Sequence, residues 1–250
     1  PPSLTDDGVS GTESTPQELG RVAGKPGRLI WRQSFGEPFG EMMITGNHGF
    51  IPTKSFRLYA IELKSGAIMG YLKFAQPLTV APTIDRQKTR IYVPGDQAVL
   101  YTISLTEMKC TGVNYLGHAP GSIRVPLTAV MDKVAVIEND GVETSHLRLM
   151  GLDDKGAIGK QLVDRRLVGL AASPPIVTGR GMVVATDRGQ IDAYDVATGK
   201  AANPLSLVAT REATSGQLIR FITASSRNVW VADTQLTKFS IMPTDNRLPV

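Results

Sequence analysis

Short apolar runs alternate with turn residues along most of the chain, and one stretch shows this pattern most completely. In residues 181–200 (GMVVATDRGQIDAYDVATGK), the apolar run Met182–Val184 is followed by a turn at Asp187–Gly189. Gln190–Val196 then alternates polar and apolar residues, which is typical of a half-buried strand, and a second turn closes the stretch. The pattern therefore predicts two antiparallel strands joined by a tight turn.

Four further stretches repeat this unit at nearly regular spacing. Apolar triplets begin at residues 50, 91, 134, 182 and 229, so successive copies start 41 to 48 residues apart. This period is typical of four-stranded propeller blades, whose repeats are roughly 40–50 residues long. The predicted strands are 41–45, 50–52, 56–63 and 68–74 in the first copy, 79–84, 91–93, 98–105 and 109–116 in the second, 124–130, 134–136, 145–152 and 160–168 in the third, 173–177, 182–184, 190–196 and 204–209 in the fourth, and 220–224, 229–231 and 237–242 in the fifth.

The fifth copy lacks a fourth strand, and the chain offers a replacement near its beginning. Residues 27–35 (GRLIWRQSF) precede the first innermost strand and have the pattern of an outer strand. A strand from one end of the chain can complete the blade at the other end, which covers the last apolar face. We therefore predict an all-β propeller of five four-stranded antiparallel blades closed by Leu29–Phe35. The alternative is that these repeats belong to a larger ring of seven or eight blades.

Residues 1–26 depart from the repeat, because they are polar, mildly acidic and poor in large hydrophobic side chains. This composition predicts a flexible tail ahead of a propeller domain at residues 27–250. Within the tail, Thr15–Glu18 combines an N-cap threonine with proline and glutamate at the first and third helical positions. These residues predict a short helix.

Composition and charge exclude some partners without identifying one. The 250 residues are 42% hydrophobic and 20% charged, and no apolar run approaches the roughly 18 residues of a membrane span. The net charge of +4 is small and the basic residues are scattered, which disfavours a nucleic-acid partner. The single cysteine, Cys110, excludes an internal disulfide and fits either the cytoplasm or the periplasm.

The polar residues show no catalytic motif. His48, His118 and His146 fall in three different copies without metal-ligand spacing, so we expect no metal site. The glycines separate strands rather than lead into a helix, so no phosphate loop is predicted. Some five-bladed propellers are glycosidases that gather carboxylates at the axis, but the innermost strands here are nearly free of acids. The carboxylates considered for such a pair are Asp85, Asp96, Asp140, Asp187 and Asp233.

The repeat resembles that of the pyrroloquinoline-quinone-type β-propellers. The residues that carry the resemblance are Gly189–Lys200 and Arg57–Gly66, in which an apolar and aromatic strand is followed by a turn with glycine. In that family the repeat continues to a tryptophan four residues after the turn glycine. This chain has Gly70 at that position in the first copy, and Trp31 in the segment ahead of it. The resemblance covers residues 27–250.

The family has two functional branches, and the resemblance implies the non-catalytic one. Quinoprotein dehydrogenases are eight-bladed rings with a quinone and calcium on the axis, and they need longer chains. The other branch includes the outer-membrane scaffold lipoprotein of bacterial β-barrel assembly. The resemblance therefore implies a protein-binding scaffold without a cofactor, in the periplasm or associated with the envelope, with the cytoplasm as the alternative. A quinoprotein-like oxidoreductase or a glycoside hydrolase is the alternative function.

Loops at one face of a propeller are the natural binding surface, because a rigid scaffold holds them. The loops from second to third strand and from one blade to the next share a face, and here they are mixed in charge. This charge pattern suits a protein or peptide partner better than a small apolar ligand. The predicted partner-binding residues are Lys54, Asp96, Asp187, Arg188 and Arg211.

Overall fold

The computed structural model describes residues 29–171, 173–179, 181–196, 221–225, 227–232 and 236–240 in full, and residues 204–210 as backbone. The chain divides into two units, residues 1–32 and residues 33–250. Every regular element in the described residues is a β-strand, and no helix among them could span a membrane. The predicted tail with its short helix lies outside the described residues, as do Arg211 and Asp233.

The described strands form five antiparallel sheets, each built from strands that are consecutive in the chain. Sheet 1 contains β1 (Met43–Thr45), β2 (His48–Pro52), β3 (Arg57–Glu62) and β4 (Ile68–Lys73). Sheet 2 contains β5 (Thr83–Ile84), β6 (Arg90–Pro94), β7 (Val99–Ser104) and β8 (Lys109–Tyr115). Sheet 3 contains β9 (Thr128–Val130), β10 (Lys133–Asp140), β11 (Thr144–Leu152) and β12 (Ile158–Val168). Sheet 4 contains β13 (Ile176–Thr178), β14 (Gly181–Ala185), β15 (Gln190–Asp195) and β16 (Pro204–Thr210), and sheet 5 contains β17 (Phe221–Ala224), β18 (Asn228–Ala232) and β19 (Leu236–Ser240).

The predicted repeat is confirmed as one sheet per copy, with the third and fourth strands closest to their predicted bounds. Apolar runs and period-two alternation define these strands in the sequence. The innermost strands are shorter than predicted, since β5 begins at Thr83 and β13 at Ile176. Pro82 and Pro175 directly precede these two strands. Proline has no N–H to donate to a ladder, so pairing starts only after it.

Successive sheets pack face to face through apolar clusters, which gives the chain a propeller-like all-β fold. Between sheets 1 and 2, for example, Phe50 and Leu58 pack with Val93 and Ile103. Comparable clusters lie between sheets 2 and 3, sheets 3 and 4, and sheets 4 and 5. A middle strand such as β6 is therefore buried on both sides.

The antiparallel order divides the turns between two faces of the sheets. The top face, as we call it, contains the turns between second and third strands and the connections between sheets. The bottom face contains the turns between first and second and between third and fourth strands. Backbone hydrogen bonds join the top-face loops, as from the N–H of Ala98 to the carbonyl of His118 at 2.9 Å and from Asn139 to Ser122 at 2.9 Å. These bonds hold the top-face loops in fixed positions.

The predicted closing strand at Leu29–Phe35 is wrong. All seven residues are described, and none belongs to a strand. Phe35 instead packs against Phe39 and Tyr59, with ring centroids 5.4 and 5.0 Å apart. Burying this aromatic ring against sheet 1 is the favourable alternative to an exposed edge position.

Sheet 5 is covered on one face within the described residues. Val229 and Val231 of β18 are buried toward sheet 4, whereas Trp230 between them is half-buried. Phe221 and Leu236, in the strands on either side, are exposed. The alternation along β18 contrasts with the fully buried middle strands of the other sheets.

Candidate functional site

Four of the five residues predicted to contact a partner lie in top-face loops of three different sheets. Lys54 is exposed between β2 and β3, and Asp96 is half-buried between β6 and β7. Asp187 and Arg188 are adjacent between β14 and β15. No hydrogen bond or ion pair within the described part of the chain joins the three loops through these side chains, so their common role stays a prediction.

Asp187 and Arg188 connect sheet 4 to the loops of sheet 3. The Leu170 N–H donates to Asp187 Oδ1 at 2.7 Å, and the Asp187 N–H donates to the Leu170 carbonyl at 2.9 Å. Arg188 Nη2 donates to Glu143 Oε1 at 2.9 Å in an exposed ion pair. Asp187 therefore has a structural role in fixing its turn, whatever else it contacts.

A cluster of aromatic and charged residues lies at the top of sheet 1. Residues 36–40 cross the end of this sheet, where Phe39 bridges to Thr53 and the Gly40 N–H donates to the Pro52 carbonyl at 2.8 Å. This crossing brings two rings from the segment onto two rings from the sheet. The residues that we call the sheet-1 cluster are Phe35, Glu37, Phe39, Arg57, Tyr59 and Tyr71.

The aromatic rings of the sheet-1 cluster form a continuous series. Phe35 contacts both Phe39 and Tyr59, and the Tyr59 ring lies 5.5 Å from that of Tyr71 on the neighbouring strand. Tyr59 and Tyr71 are directly paired in the register of β3 and β4, so the sheet itself sets their contact. Both outer members of the series are largely solvent-accessible, Phe39 at 60% and Tyr71 at 54%.

A carboxylate–guanidinium pair lies beside these rings. Arg57 Nη1 donates to Glu37 Oε1 at 3.1 Å, and the Tyr59 hydroxyl donates to the same oxygen at 3.0 Å. The Arg57 guanidinium carbon lies 5.2 Å from the centroid of the Tyr71 ring, within cation–π range. The pair therefore fixes Arg57 and both tyrosines relative to one another.

Hydrogen bonding keeps Glu37 ionised well into acid. Hydrogen bonds from the side chains of Ser55, Tyr59, Thr53 and Arg57 lower the pKa of Glu37 to about 2 against the opposing effect of burial. The Ser55 bond contributes most. Glu37 is therefore a permanent acceptor for Arg57 at any physiological pH.

The sequence prediction missed this cluster because its members come from two distant segments. The sequence prediction rests on the charge of the top-face loops and not on their aromatic residues. Arg57 and Tyr59 are two residues apart and so share one face of their strand. This part of the cluster could be predicted from the sequence. The contribution of Phe35 and Phe39 depends on the chain crossing the end of sheet 1.

Several of the carboxylates and histidines considered above have structural partners. Asp85 Oδ1 accepts hydrogen bonds from the N–H groups of Thr89 and Arg90 at 2.7 and 3.1 Å, which fixes the turn between β5 and β6. His118 is buried with Nε2 3.1 Å from the Gly95 carbonyl oxygen, and burial lowers its pKa. His146 lies 2.8 Å from Asp164. Within the residues that the structure describes, no group of three or more His, Cys, Asp or Glu could hold a metal ion.

Comparison with known proteins finds similarity in structure alone. No family model and no curated protein sequence matches the chain. BamB from Moraxella catarrhalis is similar over 88% of this chain and 62% of its own, with a TM-score of 0.58 and 14% identity. The hydrazine synthase of Kuenenia stuttgartiensis gives a TM-score of 0.59 at 12% identity, over 89% of this chain and 60% of that one. The computationally designed protein Ika8 gives 0.57 at 13% identity, over 80% and 57%.

These likenesses concern the fold. The chain spans about three fifths of the length of each of these structures. The identities of 12 to 14% leave the site residues without a counterpart to compare. The sheet-1 cluster must therefore be interpreted from its own chemistry.

Proposed function

We propose that the protein is a non-catalytic scaffold that binds another protein through the top face of its propeller, at the sheet-1 cluster. The observation that carries this proposal is a set of exposed aromatic rings beside a preformed Glu37–Arg57 pair. Tyrosine, other aromatics and arginine supply most of the binding energy at protein interfaces. The site predicted from loop charge included Lys54 and Asp187. The site proposed here is a patch that combines apolar area with charge.

The geometry suits a macromolecular partner because the patch is rigid and outward-facing. Phe39 and Tyr71 present their rings to solvent, while Tyr59 beneath them is only 8% exposed. Fixed side chains lose little freedom on binding, so more of the contact energy appears as affinity. Phe56 and Lys54, exposed in the adjacent turn between β2 and β3, extend the same surface.

An enzyme on this scaffold, either a quinoprotein-like oxidoreductase or a glycoside hydrolase, is the alternative. A glycoside hydrolase needs two carboxylates, roughly 5–10 Å from each other, that face one substrate bond. Asp85 and Asp187 each accept backbone hydrogen bonds that hold a turn. This use of the two carboxylates supports the binding function over the catalytic one.

The five sheets are, in this proposal, successive blades of a β-propeller. Their chain order, their face-to-face packing and the likeness to BamB support this arrangement. The same likeness, together with the repeat resemblance, supports a periplasmic or envelope-associated location. The partner is a protein or peptide, and no cofactor takes part in the proposed binding.

Affinity capture from the source organism, followed by mass spectrometry, tests the proposal when three baits are compared. The unmodified protein should retain a reproducible partner that the variant F39S/Y71S loses. The matched control is Y115S, which removes an aromatic side chain that is 78% exposed on β8 of sheet 2. The sheet-1 cluster is not the binding site if F39S/Y71S still retains the partner, or if only Y115S loses it. Release of sugar from a polysaccharide panel, or tight binding of quinone with calcium, would favour the enzyme.

A further inference from the structure

A groove of about 490 Å³ opens on the bottom face between sheets 1 and 2. Phe50 and Ala60 line its floor and belong to the buried cluster between the two sheets. Met69, Leu105 and Met108 line its sides. The volume falls in the range of small-molecule sites, roughly 300–1,000 Å³, and the lining is mainly apolar as in such sites.

The groove is open beside Gly70, because glycine has no side chain that could occupy the space. Gly70 pairs with Ala60 across β4 and β3, and a Cβ placed on Gly70 would meet no atom within 4 Å. Gly112 holds the corresponding position in sheet 2, opposite Thr102. A Cβ on Gly112 would lie 3.0 Å from the Cβ of Ala157, in the turn between β11 and β12. The position beside the outer-strand glycine is thus occupied in sheet 2 and open in sheet 1.

Charge at the rim of the groove is one-sided. Among the described residues that line the groove, Lys88 is the only lysine or arginine, and none is aspartate or glutamate. Glu107 lies in the adjacent turn, but it pairs with Lys109. Lys88 takes part in none of the ion pairs found within the described residues. An apolar groove with one ammonium group at its rim is complementary to an apolar chain that carries one negative charge.

We propose that this groove binds a single-chain amphiphile with a carboxylate head, of the medium-chain fatty acid type. The apolar chain lies over Phe50 between the two methionines, whose flexible thioethers adapt to its shape. The carboxylate lies at the rim beside Lys88, where His48 is also exposed. This site is on the face opposite the sheet-1 cluster, so it neither requires the scaffold function nor depends on it.

Methionine methyl signals provide a direct measurement of binding. The full chain, labelled with ¹³C at the methionine methyl groups, is titrated with decanoate below its micelle concentration and followed by NMR. The signals of Met69 and Met108 should shift and saturate. The signal of Met131, exposed on the bottom face outside the groove, should stay in place. Absence of saturable shifts, or equal shifts at Met131, would overturn the proposal.

Two variants test the two halves of the site. G70L places a side chain in the open space and should abolish the shifts. Its matched control, V113L, adds bulk to the exposed outer strand of sheet 2 and should bind decanoate normally. K88N keeps a residue type that tolerates the left-handed backbone of Lys88 (φ 58°) and should weaken binding about threefold. The neutral analogue decanol should bind the unmodified protein more weakly by a similar factor.

The outcomes separate this proposal from its rivals. Folded G70L that binds decanoate as tightly as V113L would show that the ligand lies elsewhere. A preserved circular dichroism spectrum establishes that G70L is folded, and K88N tests the site independently if it is not. Groove shifts caused by a short apolar and acidic peptide, but not by decanoate, would assign the groove to a polypeptide and overturn the fatty acid proposal.

Discussion

The third strands of sheets 1 and 4 carry polar clusters at matching positions, yet the two clusters have different surroundings. In β15, the Tyr194 hydroxyl and the Gln190 amide both donate to Asp192 Oδ2, at 2.9 and 2.8 Å. In β3, Arg57 and Tyr59 converge on Glu37 in the same way. The β15 cluster is covered by sheet 3, whose residues pack around Tyr194. Within the described residues, the β3 cluster is covered by the segment that contains Phe35 and Phe39, and the Arg57 side chain stays 39% exposed.

This contrast shows that the same face of the third strand is buried in one sheet and borders an accessible surface in another. Tyr194 is 2% exposed, and burial together with Asp192 raises its pKa strongly. Tyr71, which contacts Tyr59 at the sheet-1 cluster, is accessible to a partner. Buried polar groups must find all their partners inside the fold, whereas exposed aromatic rings are available to bind.

The largest expected effect is on stability when the buried aromatic ring is removed. Y194A should lower the free energy of unfolding by about 3–5 kcal/mol, because it leaves a cavity and takes a donor from Asp192. Y71A, at an exposed position, should cost less than about 1 kcal/mol. Urea unfolding of both variants measures this difference. Similar losses would mean that the two clusters are equally buried.

A smaller effect should follow when only a hydroxyl is removed. Y194F should cost about 1–3 kcal/mol, since Asp192 keeps Gln190 but loses a buried donor to a charged group. Y59F should cost less, because Glu37 keeps its charged partner Arg57, whose side chain is 39% exposed. Thermal unfolding of the pair at neutral pH compares the two. A greater loss in Y59F would contradict the contrast between covered and open clusters.

The two residues predicted from the sequence in the β14–β15 turn should contribute differently to the free energy of unfolding. D187A should cost about 1 kcal/mol through loss of the bond from the Leu170 N–H. R188A should change stability by less than about 0.5 kcal/mol, because its pair with Glu143 is exposed. Urea unfolding distinguishes them, and equal costs would show that Asp187 does not fix its turn.

A pH dependence is also expected at Glu37. The folded-state pKa of about 2 lies below the usual value of 4.5, so the ionised form stabilises the fold at neutral pH. That contribution is present above about pH 5 and is lost as the pH falls through 2. The stability difference between the unmodified protein and E37Q should therefore shrink on acidification. Stability curves that run parallel from pH 6 to pH 2 would contradict the lowered pKa.

Period and alternation alone predicted most of the fold, because each strand carries its own local pattern. The triplet at Met182–Val184 and the alternation at Gln190–Val196 identify their strands without knowledge of neighbours. The segment at Leu29–Phe35 has an equally good strand pattern but forms none. Its course depends on the contact of Phe35 with Tyr59, which is a tertiary preference that no local pattern encodes.

For the candidate site, the sequence predicted only which face of the sheets carries it. Antiparallel order is enough to place Lys54 and Asp187 in loops on one side of the sheets. The sheet-1 cluster required the register of Tyr59 with Tyr71 and the crossing of residues 36–40, which come from pairing over distance. The groove beside Gly70 likewise depends on what the next sheet places opposite it.

The most direct test of the proposed binding surface is hydrogen–deuterium exchange on the protein with and without its captured partner. The scaffold proposal predicts slower exchange on binding in residues 35–40, 53–59 and 69–73, while β8 and the bottom-face turns exchange as before. Protection confined to the innermost strands or to the bottom face, with no change at residues 35–40, would contradict it.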